Sequence, residues 1–376
     1  MRKFWKSVVL KIVLALIISV TVVFGITVGG IRLHRLNLSE RYNFDYLMGG
    51  ANKVILFVGD GMGDNHIKVT EAYYEREMFF TSFKKQGHIS TASLDVLKST
   101  DSASVATAFA TGKKVHNKEI STLNTKELPN ITEYLESIGI GVGLVTTDIL
   151  YSQTIAAYSS HTTNEENVSE IIVDQIRSDV DLFLGSGKSA YSAYKEVILG
   201  HGFSYYNNHS KIDITQNKIF GVFNSEEEEK TNETIPSLDV LTKTAIKFME
   251  TNYPDGYFLV IECGHIDKMC HNANIFDMMK YLDNFDKAVK DAYEYLKDDK
   301  GVSIIVTANH ETGGLAYNGE TKDQINSMDL ITYDGHTLVD VPYYIYFGND
   351  QINQYFLPKV IDNTDIYKIC KALLSD

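Results

Sequence analysis

The chain has 376 residues, 44% of them hydrophobic, enough to bury a large core as one domain or two small ones. Its formal charge of −14 excludes the broad basic face that a nucleic acid or an anionic lipid surface would require. An enzyme acting on anionic esters would therefore need local positive charge, from metal ions or a few basic side chains. Three cysteines, Cys263, Cys270 and Cys370, are too few and too odd in number for a disulfide scaffold. They read as buried thiols, with a Cys263–Cys270 bridge as the alternative.

In chain order, Arg2, Lys3, Lys6 and Lys11 precede an uncharged run from Ile12 to Ile31. That is about the ~20 residues a bilayer core requires. Signal-peptide apolar cores are shorter, typically ~7–15 residues, and Val23-Phe24-Gly25 is only a passable small-x-small cleavage site, so the run is expected to be a retained single-pass anchor rather than a signal peptide. Arg32, Arg35 and Arg41 follow it, so the charge bias only weakly favours a cytoplasmic N-terminus. Residues 1–50 are expected to form anchor and stem, with a domain of residues 51–376 outside the cell membrane.

From Asn52 onward, strand-like runs at Val54–Val58, Val142–Thr146, Leu182–Leu184, Phe258–Ile261, Ile304–Thr307 and Val341–Phe347 alternate with helical patterns. The helical patterns are Ile131–Ser137, Val168–Ile176, Leu238–Glu250 and Ile275–Leu296. Asn130 with Glu133 predicts a capping box, and Thr364 or Asp365 could cap a last helix. The alternation predicts an α/β domain with a mostly parallel sheet covered on both faces. The acidic run Glu226–Glu229 reads as a solvated loop.

Ligands of such sheets bind beyond the carboxyl ends of the strands, and the chemically active residues fall there. Gly59-Asp60-Gly61-Met62-Gly63-Asp64 follows the first strand. Its spacing is not that of a dinucleotide loop, and a carboxylate among glycines suits a metal better than a phosphate. Glu262, Asp267 and His271 follow a later strand, and residues four apart share one helix face. Asn309 and His310 follow the next, and His336 lies in a polar turn. Ser102 opens the small-residue run Asp101–Ala108, where helix N–H groups favour an incoming anion. Each feature alone has a bland reading, such as a turn residue, an exposed histidine or a Ser102 N-cap.

Asp101-Ser102-Ala103-Ser104-Val105-Ala106-Thr107 resembles the nucleophile signature of the alkaline phosphatase family. The resemblance runs in order from about Lys53 to Phe347. It takes in Val58–Gly63, Gly143–Thr147, Leu184–Gly187, Glu262 with Asp267 and His271, Val306–His310, and Gly335-His336-Thr337. It implies an alkaline phosphatase-like sheet in a compact version. Only 25 residues separate His310 from His336, leaving no room for a long crown insertion. It further implies two zinc ions, one on Asp267, His271 and His336 and the other on Asp60, Asn309 and His310. Ser102 would bind the second through its oxygen, and magnesium would sit on Asp60, Thr154 and Glu262. Ser102 would be the nucleophile in hydrolysis of small phosphate esters, with Lys268 near the phosphate. The resemblance leaves room for a homodimer.

Several positions depart from the family pattern. Asn309 replaces an aspartate, which should weaken the second zinc. Glu165 replaces the phosphate-clamping arginine, so Asp101 loses its partner, and Arg177 is the only arginine after Arg76. Ser152 stands where others carry Asp or His, and Val105 is bulkier than expected. Phosphate monoester hydrolysis through a phosphoserine is the leading expectation. A phosphodiesterase is the next, because losing the arginine penalises a dianion more than a monoanion. An inactive metal- or ligand-binding surface protein is the third.

Overall fold

The computed structural model describes residues 41–95, 98–224 and 236–375. Apolar β-branched runs become the central strands of a ten-stranded sheet. These are β1 (Lys53–Gly59), β5 (Gly141–Ile149), β6 (Leu182–Ser186), β9 (Tyr257–Cys263), β10 (Val302–Thr307) and β11 (Val341–Phe347). Shorter strands complete it: β2 (Lys85–Ser90), β7 (Ser204–Tyr206), β8 (Ile219–Phe223) and β12 (Val360–Asp362). A separate ribbon pairs β3 (Thr122–Leu123) with β4 (Lys126–Glu127). The sheet order is β12-β2-β11-β10-β1-β9-β5-β6-β8-β7. Within the sheet, β11 alone runs against the other strands.

Every residue of β1, β9 and β10 is buried, as strands covered on both faces must be. Helices Asp64–Tyr74, Leu238–Asn252 and Ile275–Leu296 form one layer, and Ser102–Thr111, Ile131–Ser137 and Thr364–Leu374 the other. Register then decides where chemistry collects. Val58 lies opposite both Glu262 and Thr307, and Thr146 also pairs with Glu262. The residues just past these strand ends, among them Asp60 and Asn309, therefore share one edge of the sheet.

The Asn130–Glu133 capping box forms as expected. The last helix starts at Thr364 with Asn363 in the N-cap position, so neither Thr364 nor Asp365 caps it. Instead the Asp365 carboxylate accepts the Asp362 N–H at 3.0 Å. All three cysteines are buried free thiols, and no Cys263–Cys270 bridge forms. The expected stem is corrected at its C-terminal end: Phe44 and Leu47 are buried in the main core, and Gly49 and Ala51 donate to backbone carbonyls of the last helix and of Ser375.

The expected membrane anchor and outside location are not supported. Among the described residues no helix is long and apolar enough to cross a membrane. The run Ile12–Ile31 lies outside those residues, as does Glu226–Glu229.

One buried carboxyl away from the strand ends makes stability depend on pH. Glu136 Oε1 is buried without a hydrogen-bond partner. Burial first, then the charges of Asp179 and Asp181, push its carboxyl up to about 8. The folded chain thus keeps a proton that the unfolded chain loses near pH ~4.3. This contribution is fully present below that pH and is lost as pH rises toward 8. Glu136→Gln should therefore raise the melting temperature at pH 8.5 by a few degrees, about 1–2 kcal/mol after solvent screening. It should change little at pH 4. Equal shifts at both pH values in thermal melts would show that Glu136 does not carry the effect.

Candidate active site

Ser102 is the first residue of helix Ser102–Thr111, and Asp101, not Ser102, caps it by accepting the Ser104 N–H at 2.9 Å. The rest of the helix is buried, which explains its small residues, and Val105 fits within the core. Ser102 stays half-buried, with its hydroxyl 2.9 Å from His310 Nε2 and 3.5 Å from Asp60 Oδ1. His310 Nδ1 lies 3.2 Å from Thr312 Oγ1, whose own proton is donated to Asp267 Oδ1. That chain assigns the His310 proton to Nδ1 and leaves Nε2 as the acceptor for Ser102. Burial and the neighbouring His336 and His271 hold the His310 ring well below its usual range, hence neutral.

Asp60 is placed by a backbone bend that only glycine tolerates well. Gly61 has φ +76°, and a Cβ there would lie 2.8 Å from Thr312 Oγ1 and 3.0 Å from the Asp267 Cα and Cβ. Burial, then the charges of Asp267 and Glu262, raise the Asp60 carboxyl well above its usual range. Carboxylates packed this closely call for a cation.

Helix His265–His271 carries Asp267 and His271 on one face, as their spacing predicts. His271 Nδ1 lies 3.2 Å from Asp334 Oδ1, and His336 Nδ1 lies 2.8 Å from the Thr100 carbonyl. Both rings thus bind acceptors through Nδ1 and turn the lone pairs of Nε2 toward each other at 3.3 Å. Asp267 Oδ1 sits 3.5 Å from His271 Nε2 and 3.6 Å from His336 Nε2. Ligand atoms ~2.1 Å from a tetrahedral ion lie about 3.4 Å apart, so this donor set fits zinc without rearrangement. His310 also leans in: Asp267, His310 and His336 bring ligand atoms within 4.8 Å of one another.

Glu262 accepts from Thr146 Oγ1 at 2.6 Å and lies 3.5 Å from Ser152 Oγ. Burial and Asp148 push its carboxyl up to about 7. The Thr154 hydroxyl is buried and meets no group in hydrogen-bonding geometry. A buried orphan hydroxyl beside a burdened carboxylate is the donor chemistry of a hard cation such as magnesium.

Lys268, Asp101, Glu165 and Asn309 each meet specific partners. Lys268 pairs with Asp148, a residue that sequence reasoning passed over. Asp101 lacks the family's arginine, and the Lys118 backbone N–H donates to its Oδ2 at 2.6 Å instead. Glu165 lies 3.6 Å from Lys118 Nζ, which also meets Glu166 at 3.1 Å. Burial, then Asp101, raises the Glu165 carboxyl. Asn309 joins the cluster, but its amide nitrogen faces Asp60 Oδ1 at 2.7 Å. Thr312, Asp148 and Lys118 went unnoticed in the sequence, and only the closeness of Thr312 to His310 could have flagged one of them.

Comparison with known proteins bears on this cluster. The alkaline phosphatase family model matches residues 51–218 and 211–354. Alkaline phosphatase 3 of Bacillus subtilis is 29% identical over 295 residues, covering 70% of this chain and 62% of its own length. Alkaline phosphatase 4 of the same organism is 30% identical over 298 residues, covering 71% and 63%. The chain thus spans under two thirds of either relative. Among solved structures, the alkaline phosphatase of the Antarctic bacterium TAB5 superposes with a TM-score of 0.74 at 25% identity, covering 88% of this chain and 99% of that one. A variant of that enzyme was solved with magnesium bound in its M3 site.

Proposed function

The chain belongs to the alkaline phosphatase family, and from that premise we propose that it hydrolyses phosphate monoesters through a phosphoserine on Ser102. The observation that carries this reading is the Ser102 hydroxyl at a helix N-terminus, 2.9 Å from a neutral imidazole and next to the converging Asp267, His271 and His336. The first-turn N–H groups and the helix dipole draw in the phosphoryl anion. His310 Nε2 orients the hydroxyl and is the acceptor within reach for its proton. Ser102 Oγ then forms the new P–O bond as the ester oxygen leaves, and water hydrolyses the phosphoserine to restore Ser102. Asp267, His271 and His336 would hold a zinc ion, which supplies Lewis acidity and positive charge beside the phosphoryl group. Asp60, Thr154 and Glu262 would hold magnesium, in keeping with the magnesium found in the TAB5 variant. The Asn309 amide does not complete the second zinc set, and no step here depends on that ion.

The test is turnover of a monoester and a diester by purified protein loaded with zinc and magnesium. Monoester turnover that tracks zinc content is expected. No hydrolysis of either ester by fully loaded protein would favour a binding protein instead. A diesterase is the second reading: the resemblance sets Glu165 at the position of the family's phosphate-clamping arginine, and its carboxylate lies 3.6 Å from Lys118 Nζ. Glu165→Gln removes one of the two carboxylates beside Lys118, with Glu166 keeping its 3.1 Å contact, and by relieving repulsion should lower KM for a monoester about two- to threefold at low salt, with kcat little changed. If KM for the diester falls as much, the carboxylate does not set the choice between them.

A further inference from the structure

Asn309 has an amide whose two ends are not interchangeable. The backbone N–H groups of Gly61 and His310 both donate to its Oδ1, at 3.1 and 2.8 Å. An amide nitrogen cannot accept those bonds, so the oxygen must face them. Asn309 and His310 are fully buried, and turning the amide over would set NH2 against two N–H groups with no water to replace the lost bonds. The nitrogen is thereby directed at Asp60 Oδ1, to which it donates at 2.7 Å. Asp60 Oδ1, His310 Nε2 and Ser102 Oγ are the groups that a cation beside the nucleophile would need. An amide N–H offers that cation no lone pair and carries partial positive charge on the same carboxylate oxygen.

We infer that Asn309 is a hydrogen-bond donor to Asp60 rather than a metal ligand. The centre accordingly closes one zinc site, on Asp267, His271 and His336, and no second zinc site beside Ser102. The N–H partly neutralises Asp60, a task that a second ion would otherwise perform. This rests on the proposed hydrolase site for its location, but its test counts metal and not turnover.

The full chain, stripped of metal, is titrated with zinc in the presence of magnesium, followed by calorimetry, elemental analysis and zinc X-ray absorption. One tight zinc per chain is expected, in a single environment of two imidazoles and oxygen donors. Asn309→Asp should add a second zinc, bound roughly a hundredfold tighter than any second event in the unaltered chain. An aspartate can keep one oxygen on the two backbone N–H groups and turn the other, now with lone pairs, to the ion. His271→Ala should remove the first zinc in both backgrounds. Two zinc ions of similar affinity in the unaltered chain would overturn the inference, as would a folded Asn309→Asp that still holds one. The count on the unaltered chain decides the matter even if the variant fails to fold. A chain that hydrolyses nothing but holds one zinc would defeat the hydrolase reading alone.

Discussion

Ser102→Ala should lower phosphate ester turnover at least about a thousandfold, about 4 kcal/mol of transition-state stabilisation, and leave metal content nearly unchanged. The alanine removes the oxygen that forms the new P–O bond, and nothing nearby replaces it. Ser104, the next hydroxyl on the helix, is buried and lies 2.9 Å from Thr100 Oγ1, so it cannot reach a substrate. The three residues that converge on the first cation lie on other elements, and the Ser102 hydroxyl bonds instead to Asp60 and His310. The fold should also survive, because Asp101 caps the helix through its own carboxylate and alanine is a good helix former. Trapping the phosphorylated enzyme at low pH and locating the phosphate by mass spectrometry gives an independent check. Phosphate on a different residue, or a variant that keeps most of its activity, would remove Ser102 from the mechanism.

The fold was legible where hydrophobic period and burial agree. Strand β11 and helices Ile131–Ser137 and Ile275–Leu296 fall on their expected bounds, because apolar spacing runs their whole length. Strand β2 escaped because Lys-Gln-Gly-His has no apolar alternation, and four of its six residues are only partly buried or exposed. Helix Asp64–Tyr74 escaped because polar residues crowd it, although His66 and Thr70 turn out to be buried. The residue types of the site were legible, since carboxylates and histidines at strand ends have few structural reasons to gather. Their wiring was not. Which end of the Asn309 amide faces Asp60 depends on the Gly61 N–H, 248 residues away in sequence. The link from His310 through Thr312 to Asp267 depends on rotamers that no spacing rule encodes. Lys118 reaches Asp101 through its backbone in a left-handed conformation, φ 74°, a signal that only glycine or asparagine would have advertised.

Asp267→Asn isolates charge from shape at the first cation site. The asparagine keeps the volume beneath Gly61 and can still accept the Thr312 hydroxyl through its oxygen, so geometry is nearly conserved. What it removes is the anionic member of a donor set that otherwise consists of two neutral imidazoles. Zinc affinity should fall by about a hundredfold or more, and turnover at trace zinc about as far, with partial recovery in excess zinc. Stability should move in opposite directions with and without metal. In the metal-free chain the Asp267 charge opposes ionisation of buried Asp60, so the substitution relieves a repulsion. In the loaded chain the same carboxylate couples zinc binding to folding, and its loss costs the stabilisation that bound metal confers. The melting temperature of the unaltered chain should therefore drop sharply in a zinc-selective chelator at constant magnesium, while that of Asp267→Asn should barely respond and should lie above the zinc-stripped parent. If the variant retains its zinc and its chelator sensitivity, Asp267 is not a ligand, and the convergence of His271 and His336 must serve a different end.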